Sequence, residues 1–148
     1  MKMTTKKLRF SFECAVARFC LVYWPHVFLW TLTFAENLQD EVEAKKRFRG
    51  ICDLVRRRGG KYLGVWERQK RGAWHLHLLV NIYLDWNWFQ KWLVARGWGE
   101  VLRVDRVHCK PGAVGLARWR PLARYLSKYL LKQYNLNAED SGYGAQAH

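Results

Sequence analysis

Two strand-like segments joined by a short polar loop constrain the fold of this chain more than any other feature. Residues 61–67 and 73–82 contain many large apolar side chains, and the loop RQKRGA between them contains Gly72. Segments of this kind pair as an antiparallel β-hairpin. Residues 27–34, VFLWTLTF, have the composition of a strand buried on both faces, and residues 100–108, EVLRVDRVH, supply another strand.

Helical segments alternate with these strands. Two of them are each flanked by a capping aspartate and a terminating glycine: Asp40 with Gly59, and Asp85 with Gly97. Pro121 opens a last helix that ends near Gln133. The order β-α-β-β-α-β predicts an α+β fold of the ferredoxin-like, split βαβ type. Its central antiparallel sheet has helices packed on one face and is followed by a C-terminal helix. Residues 8–24 fit either an extra strand or a short helix.

Length and charge limit the classes of function. The 148 residues suit one domain, which we expect over residues 1–134, with a small, polar and flexible tail over 135–148. The net charge of +14 favours a polyanionic partner, either nucleic acid or an anionic membrane. The longest apolar stretch, near residues 24–34, is interrupted by Pro25 and His26, so the sequence argues against a membrane span. The N-terminal residues do not resemble a signal peptide, and the four cysteines form no CxxC pair, which is typical of a cytoplasmic protein.

Two histidines lie one residue apart in the second strand of the hairpin. Because alternate residues of a strand share a face, His75 and His77 project together. A turn centred near Arg71 places Glu67 across from His75 and Val65 across from His77. Two imidazoles and a carboxylate are a suitable ligand set for a catalytic divalent ion, here Mn²⁺ or Mg²⁺ at a phosphate-handling site. The alternative is two hydrogen-bonded strand histidines beside a solvated glutamate.

Tyrosine and lysine residues recur at helical spacing in residues 120–134, RPLARYLSKYLLKQY. Tyr125, Lys128, Tyr129 and Lys132 occupy positions i, i+3, i+4 and i+7. The two phenols therefore project in nearly the same direction, about 40° apart around the helix axis. A neighbouring lysine cation stabilises phenolate character, which a tyrosine nucleophile needs at neutral pH. The alternative is an amphipathic surface helix with tyrosines at the edge of its apolar stripe.

These motifs resemble those of a known superfamily. HLH resembles the histidine-hydrophobe-histidine motif of HUH endonucleases. YLSKY resembles the two-tyrosine motif of rolling-circle replication initiators from small single-stranded DNA phages and certain plasmids, and FLWTLTF is similar to their first motif. The three motifs occur in family order over residues 28–132.

The resemblance implies a metal-dependent, sequence- or structure-specific single-stranded DNA nickase and strand transferase. Tyr125 or Tyr129 would attack the scissile phosphate, forming a 5′-phosphotyrosine and a free 3′-OH, to initiate and terminate rolling-circle replication. Glu67, His75 and His77 would bind the metal, and Lys128 would stabilise the phenolate or protonate the leaving oxygen. Tyr125 is the favoured first nucleophile, because a tyrosine followed three residues later by lysine also matches the one-tyrosine members.

The implied partner is single-stranded DNA at a replication origin, with no membrane and no small-molecule cofactor. The chain has no GxxxxGK[ST] motif, so unwinding would come from another protein, such as a host helicase, or the substrate would already be single-stranded. Basic residues expected to hold the strand around the site are Arg68, Lys70, Arg71, Arg118, Arg120, Arg124 and Lys132.

Two other functions remain open from the sequence. A transposase or relaxase of the same superfamily would perform the same chemistry on a hairpin or a transfer origin. A non-catalytic ferredoxin-like module that binds single-stranded nucleic acid would use the basic and aromatic residues. The second alternative assigns no role to His75, His77 or Tyr125.

Overall fold

Four antiparallel strands form one sheet in the order β2-β3-β1-β4. The computed structural model describes residues 4–70 and 72–139, and their side chains except those of 101, 102 and 131–139. The strands are β1 (Phe28–Phe34), β2 (Tyr62–Arg68), β3 (Trp74–Val80) and β4 (Trp98–Arg106). The helices are α1 (Thr5–Tyr23), α2 (Glu41–Arg57), α3 (Trp86–Ala95) and α4 (Arg120–Glu139), with a short 3-10 helix at Gly115–Trp119 before α4. The predicted ferredoxin-like α+β fold is confirmed.

The predicted capping residues set the starts of α2 and α3. The carboxylate of Asp40 accepts a hydrogen bond from the amide of Val42 at 3.0 Å, and Asp85 accepts one from the amide of Trp88 at 3.0 Å. Each aspartate satisfies an amide that has no partner within its helix. Strand β4 begins two residues earlier than predicted, directly after Gly97, whose φ of 89° favours glycine.

Helices α2 and α3 cover one face of the sheet and enclose the larger core. Alternation sends the even-numbered residues of β1 and β3 to this face, where they meet the apolar stripes of both helices. Buried side chains of this core include Trp30, Leu32, Leu76 and Leu78 from the sheet, Phe48, Ile51 and Val55 from α2, and Phe89 and Leu93 from α3.

Helices α1 and α4 pack on the opposite face, whereas α2 and α3, the two helices of the predicted split βαβ unit, share one face as expected. Residues 8–24, for which the sequence left strand or helix open, belong to α1. Its buried residues Phe12, Val16 and Cys20 recur every fourth position, as in a helix with one apolar stripe. That stripe joins Leu126 and Leu130 of α4 in a second core beside β1, β2 and β3.

Helix α4 extends through Glu139, six residues beyond its predicted end at Gln133. Residues 134–139 contain no glycine or proline to stop the helix. Residues 140–148 of the predicted tail lie outside the described residues. Among the described residues, no helix has both the length and the apolar content needed to cross a membrane.

Candidate active site

The hairpin register brings the predicted carboxylate and imidazoles to one face of the sheet. Glu67 pairs with His75 and Val65 pairs with His77, as predicted from alternation and the turn position. On the other side of β3, Thr31 of β1 pairs with His77. Because directly paired residues share a face, the carboxylate, both imidazoles and the threonine hydroxyl lie together on the α4 side.

Glu67 contacts both imidazoles. Its Oε1 atom lies 3.3 Å from His77 Nε2 and 3.9 Å from His75 Nδ1. His77 Nδ1 lies 3.4 Å from the hydroxyl of Thr31, and the amide nitrogen of Gln69 lies 3.2 Å from His75 Nδ1. With Nε2–H donating to the carboxylate, Nδ1 of His77 accepts from Thr31, which fixes the orientation of its ring.

Burial controls the charge of His77. Its side chain is only 3% exposed, and this desolvation lowers its pKa below the ordinary histidine value, although the Glu67 carboxylate acts in the opposite direction. The nearby Lys128 cation also lowers the pKa of His77. At neutral pH the imidazole is therefore uncharged and retains a lone pair.

The two predicted tyrosines meet the hairpin at His77. The rings of Tyr129 and His77 are stacked, with centroids 4.1 Å apart and planes inclined by 13°. The hydroxyl of Tyr129 donates to the hydroxyl of Tyr125 at 2.9 Å, and the two phenol rings are perpendicular with centroids 5.2 Å apart. The helical spacing predicted that both phenols would face one spot, and the structure places that spot over His77.

Lys128 lies over both phenol rings. Its Nζ atom is 5.1 Å from the centroid of Tyr125 and 5.1 Å from the centroid of Tyr129, which is within the range of cation–π attraction. Burial and the hydrogen bond to Tyr125 raise the pKa of Tyr129 above the ordinary tyrosine value. Tyr125 is 40% exposed and Tyr129 is only half-buried, so Tyr125 is the more accessible residue of the two.

A buried hydrogen bond holds α4 in this position. Ser127, which is 1% exposed, donates to Glu13 of α1 at 2.9 Å, and Glu13 also pairs with Arg9 at 2.9 Å. Ser127 lies inside the YLSKY motif on the side of α4 that faces α1. Sequence reasoning missed this pair, because Glu13 belongs to the segment of undecided structure and lies 114 residues from Ser127.

The donor types of Glu67, His75 and His77 fit a divalent ion, since two imidazoles and a carboxylate form a mixed nitrogen and oxygen ligand set. The neutral state of His77 also suits a ligand. The positions of these three side chains, however, do not yet match those of metal ligands. Among the described residues, no group of three or more His, Cys, Asp or Glu side chains has the geometry to hold a metal ion as it stands. Glu67 contacts both imidazoles and Gln69 contacts His75, so a common centre requires these side chains to rotate.

Two of the predicted DNA-binding arginines, Arg68 and Arg118, pack against tryptophan rings. Arg68 follows Glu67 directly, so strand alternation turns it to the opposite face, where its guanidinium lies 5.5 Å from the ring centroid of Trp74. Arg118 is held between Trp24 and Trp119, at 4.9 and 5.0 Å from their ring centroids. The expectation that Arg68 lies at the site is therefore wrong, whereas DNA binding by Arg118 stays a prediction.

The remaining basic residues are divided between surfaces. Arg120 lines a groove with Phe10 and Glu13 of α1, on the side of α4 away from the phenols, so its predicted place at the site is also wrong. Arg124 is exposed on α4 near Lys128, and Lys70 is exposed in the hairpin loop. Arg71 and the side chain of Lys132 lie outside the described residues.

One basic residue at the site was not predicted. Arg103 of β4 pairs with Thr31, which pairs with His77, so Arg103 lies on the same face, two strands or about 10 Å from His77. Its positive charge acts on Tyr129, lowering the pKa of that phenol against the larger effect of burial. Alternation in β4 predicts the face of Arg103, but only the strand order places β4 beside β1.

Comparisons with known proteins agree with this architecture. The model of the ORF2 family of replication-associated proteins matches residues 27–134. The phasyl DNA replicon protein arp of Escherichia coli is 38% identical over 56 residues, which cover 37% of this chain and 20% of that protein's length. The hypothetical protein ORF119 from Sulfolobus islandicus rod-shaped virus 1 has a similar fold, with a TM-score of 0.54 and 18% identity over 78% of this chain and 91% of that one. The family model spans the β-hairpin and both tyrosines, and the chain therefore belongs to the ORF2 family of replication-associated proteins.

Proposed function

We propose that this chain is an HUH-type endonuclease that nicks single-stranded DNA and transfers the cut strand through a 5′-phosphotyrosine, to initiate and terminate rolling-circle replication. The observation that carries the proposal is the stacking of Tyr129 on His77, with Tyr125 hydrogen-bonded to Tyr129. Two potential nucleophiles thus lie beside two potential metal ligands. One phosphate can reach a nucleophile and the metal ligands at the same time. Membership of a replication-associated family supports the same role.

Geometry supports Tyr125 as the first nucleophile. Its hydroxyl oxygen accepts a hydrogen bond from Tyr129, and the residue is 40% exposed. The accepted hydrogen bond and the Lys128 cation both stabilise negative charge on the Tyr125 oxygen. Tyr129 lies deeper, against His77, and would serve as the second nucleophile once the first is occupied by the covalent strand end.

The chemical step is a transesterification at phosphorus. The Tyr125 oxygen forms a bond to phosphorus as the bond from phosphorus to the 3′ oxygen breaks. The phenol proton passes to water, and Lys128 donates a proton to the leaving 3′ oxygen, which becomes the free 3′-OH. Arg103, whose Nε pairs with Asp105 at 2.7 Å, would use its remaining N–H groups to hold a non-bridging phosphate oxygen from the β4 side.

Glu67, His75 and His77 would hold a Mn²⁺ or Mg²⁺ ion. Such an ion supplies polarisation of the phosphate oxygens and orientation of the scissile group for in-line attack. The residues of the chain supply the nucleophile, the proton and the position of the strand. Thr31 and Gln69 would orient the two imidazoles by hydrogen bonding.

The decisive experiment looks for a covalent adduct. The protein is mixed with a pool of single-stranded DNA and Mn²⁺, and adducts that resist denaturation are separated by gel electrophoresis. We expect an adduct in the wild type, a yield lower by about tenfold or more in Tyr125→Phe, and none in the Tyr125→Phe/Tyr129→Phe double variant. Chelation of the metal and His77→Ala are each expected to abolish it.

A matched control is Tyr83→Phe, because Tyr83 is 73% exposed and lies outside the site. Its adduct yield should equal that of the wild type. An undiminished yield from the double variant would overturn the assignment of the nucleophiles. Binding of the DNA without any adduct in the wild type would favour the non-catalytic module instead.

A further inference from the structure

A row of arginine and tryptophan side chains crosses the exposed surface of α3 and the end of α2. Arg58 lies 4.8 Å from the ring centroid of Trp88, Trp88 lies 6.4 Å from Trp92, and Arg96 lies 3.9 Å from Trp92. We call these four side chains the tryptophan row. Trp88 and Trp92 are one helical turn apart, so they lie on the same side of α3.

The tryptophan row is not needed to anchor α3 to the core on this face of the sheet. Helix α3 is anchored by Phe89 and Leu93, which are each 1% exposed. Trp88 is 40% exposed although it carries one of the largest apolar side chains, and Trp92 is only partly buried. An exposed indole of this size next to cationic groups is typical of a surface that binds a partner.

The charge around the row is positive. Among the described residues, neither Arg58 nor Arg96 forms an ion pair, and the exposed Lys91 lies one turn after Trp88. Two carboxylates that are close to the row in sequence, Asp53 and Asp85, have partners of their own. Asp53 pairs with Arg56 at 2.6 Å, and the carboxylate of Asp85 caps the first turn of α3. Arg96 donates one N–H to the backbone oxygen of Trp92 at 3.1 Å, and both arginines keep further N–H donors for an anion.

We infer that the tryptophan row binds a segment of single-stranded DNA other than the one that reaches the tyrosines. Unpaired bases stack on indole and guanidinium planes, and their phosphates are neutralised by arginine and lysine. Duplex DNA does not fit this chemistry, because its bases are already stacked on each other. A protein partner would have to bury the unpaired charge of Arg58 and Arg96, which is costly.

The place of the row in the fold separates it from the candidate active site. Helix α3 packs on the sheet face that carries Trp30, whereas His77 and the tyrosines lie on the other face. A strand held by the row is thus kept away from the phenols. The inference concerns binding alone and does not depend on whether the tyrosines cut DNA.

The test measures binding in the Tyr125→Phe/Tyr129→Phe background, so that strand cleavage cannot contribute. The probe is an oligo-dT of about 30 nucleotides, longer than a single binding site of about 4–16 nucleotides. We expect Trp88→Ala to weaken binding by about fivefold or more without changing its salt dependence, because it removes a stacking surface and no charge. Arg58→Gln/Arg96→Gln should instead reduce the slope of log affinity against log salt, by about 0.7 for each lost phosphate contact.

The charge-matched control is Arg18→Gln/Arg49→Gln, which alters exposed arginines on α1 and α2 outside the row. Its affinity should exceed that of Arg58→Gln/Arg96→Gln, and Trp88→Tyr should retain most of the affinity that Trp88→Ala loses. Circular dichroism establishes that each variant is folded. Photocrosslinking of an iodouracil oligonucleotide should label the peptide that contains Trp88.

Three results would overturn the inference. The first is equal affinity and equal salt slope for Trp88→Ala, Arg58→Gln/Arg96→Gln and the parent protein. The second is that the variants of the row lose as much affinity for duplex DNA as they lose for the oligo-dT. That result would indicate general attraction between charges. The third is a change in sedimentation of Trp88→Ala without a change in DNA affinity, which would make the row a contact between protein chains.

Discussion

His77 is the residue at which the two chemical motifs meet. It hydrogen-bonds Glu67 on its own hairpin, contacts Thr31 on the neighbouring strand, and stacks on Tyr129 of α4. The strand pattern predicts the first contact, since pairing across a hairpin is local. The other two contacts join segments distant in sequence, so only the packed structure brings them to one imidazole.

A prediction at this scale concerns Arg103. If Arg103 holds a phosphate oxygen at the site, Arg103→Gln should lower the affinity for single-stranded DNA and reduce the salt slope of binding by about 0.7. The control is Arg106→Gln, on the same strand but on the opposite face of the sheet. Adduct yield at limiting DNA should fall in Arg103→Gln and not in Arg106→Gln. Equal yields from both variants would remove Arg103 from the site.

Helix α4 is the element on which the candidate site depends, because it carries both phenols and Lys128. Its apolar stripe packs against α1 and the sheet, and Ser127 adds a buried hydrogen bond to Glu13. A helix held only by apolar contacts can rotate or slide by small amounts. A directional bond at the centre of the YLSKY motif limits that freedom, so we expect it to affect both stability and the placement of the tyrosines.

Removing the bond tests this expectation. Ser127→Ala deprives the Glu13 carboxylate of a donor and should lower the free energy of unfolding by about 1–3 kcal/mol, measured by urea denaturation. The adduct yield should fall even under conditions where the variant remains folded. Ser11→Ala changes an exposed serine on α1 and should alter the free energy of unfolding by less than about 0.5 kcal/mol. Equal stability of the two variants would show that the bond contributes little.

The whole molecule carries a net charge of +14, and the charge is divided between the two faces of the sheet. Arg103, Arg124 and Lys128 lie on the side of the phenols, whereas Arg58, Lys91 and Arg96 lie on the side of α3. Because basic residues lie on both faces of the sheet, the protein can contact more phosphates of a nucleic acid than one face alone would allow. Binding of nucleic acid should therefore be strongly electrostatic.

The corresponding prediction is a steep salt dependence. With about six phosphate contacts to a single strand, raising NaCl from about 50 to 200 mM should weaken binding by roughly a hundredfold or more. Fluorescence anisotropy of a labelled oligonucleotide measures the effect. An oligonucleotide with an uncharged methylphosphonate backbone should bind weakly at both salt concentrations. Salt-independent binding of the natural oligonucleotide would contradict this account of the charge.

Local physical rules made much of the fold and part of the site predictable. Capping aspartates, helix-ending glycines and strand alternation predicted α2, α3, the hairpin and the pairing of Glu67 with His75. Alternation also places Arg68 on the face opposite Glu67, so its closeness to the motif in sequence does not bring its charge to the site. The roles of the site residues in DNA cleavage stay predictions.

The sequence by itself determined which side chains share a face of each strand or helix, because those periodicities depend only on backbone geometry. Only the tertiary structure decided which faces meet. The docking of α4 over His77, the formation of α1 as its support, and the position of Arg103 beside Thr31 all rest on contacts between segments far apart in the chain. Their free energy comes from burying surfaces against each other, and local sequence patterns do not specify the partner surface.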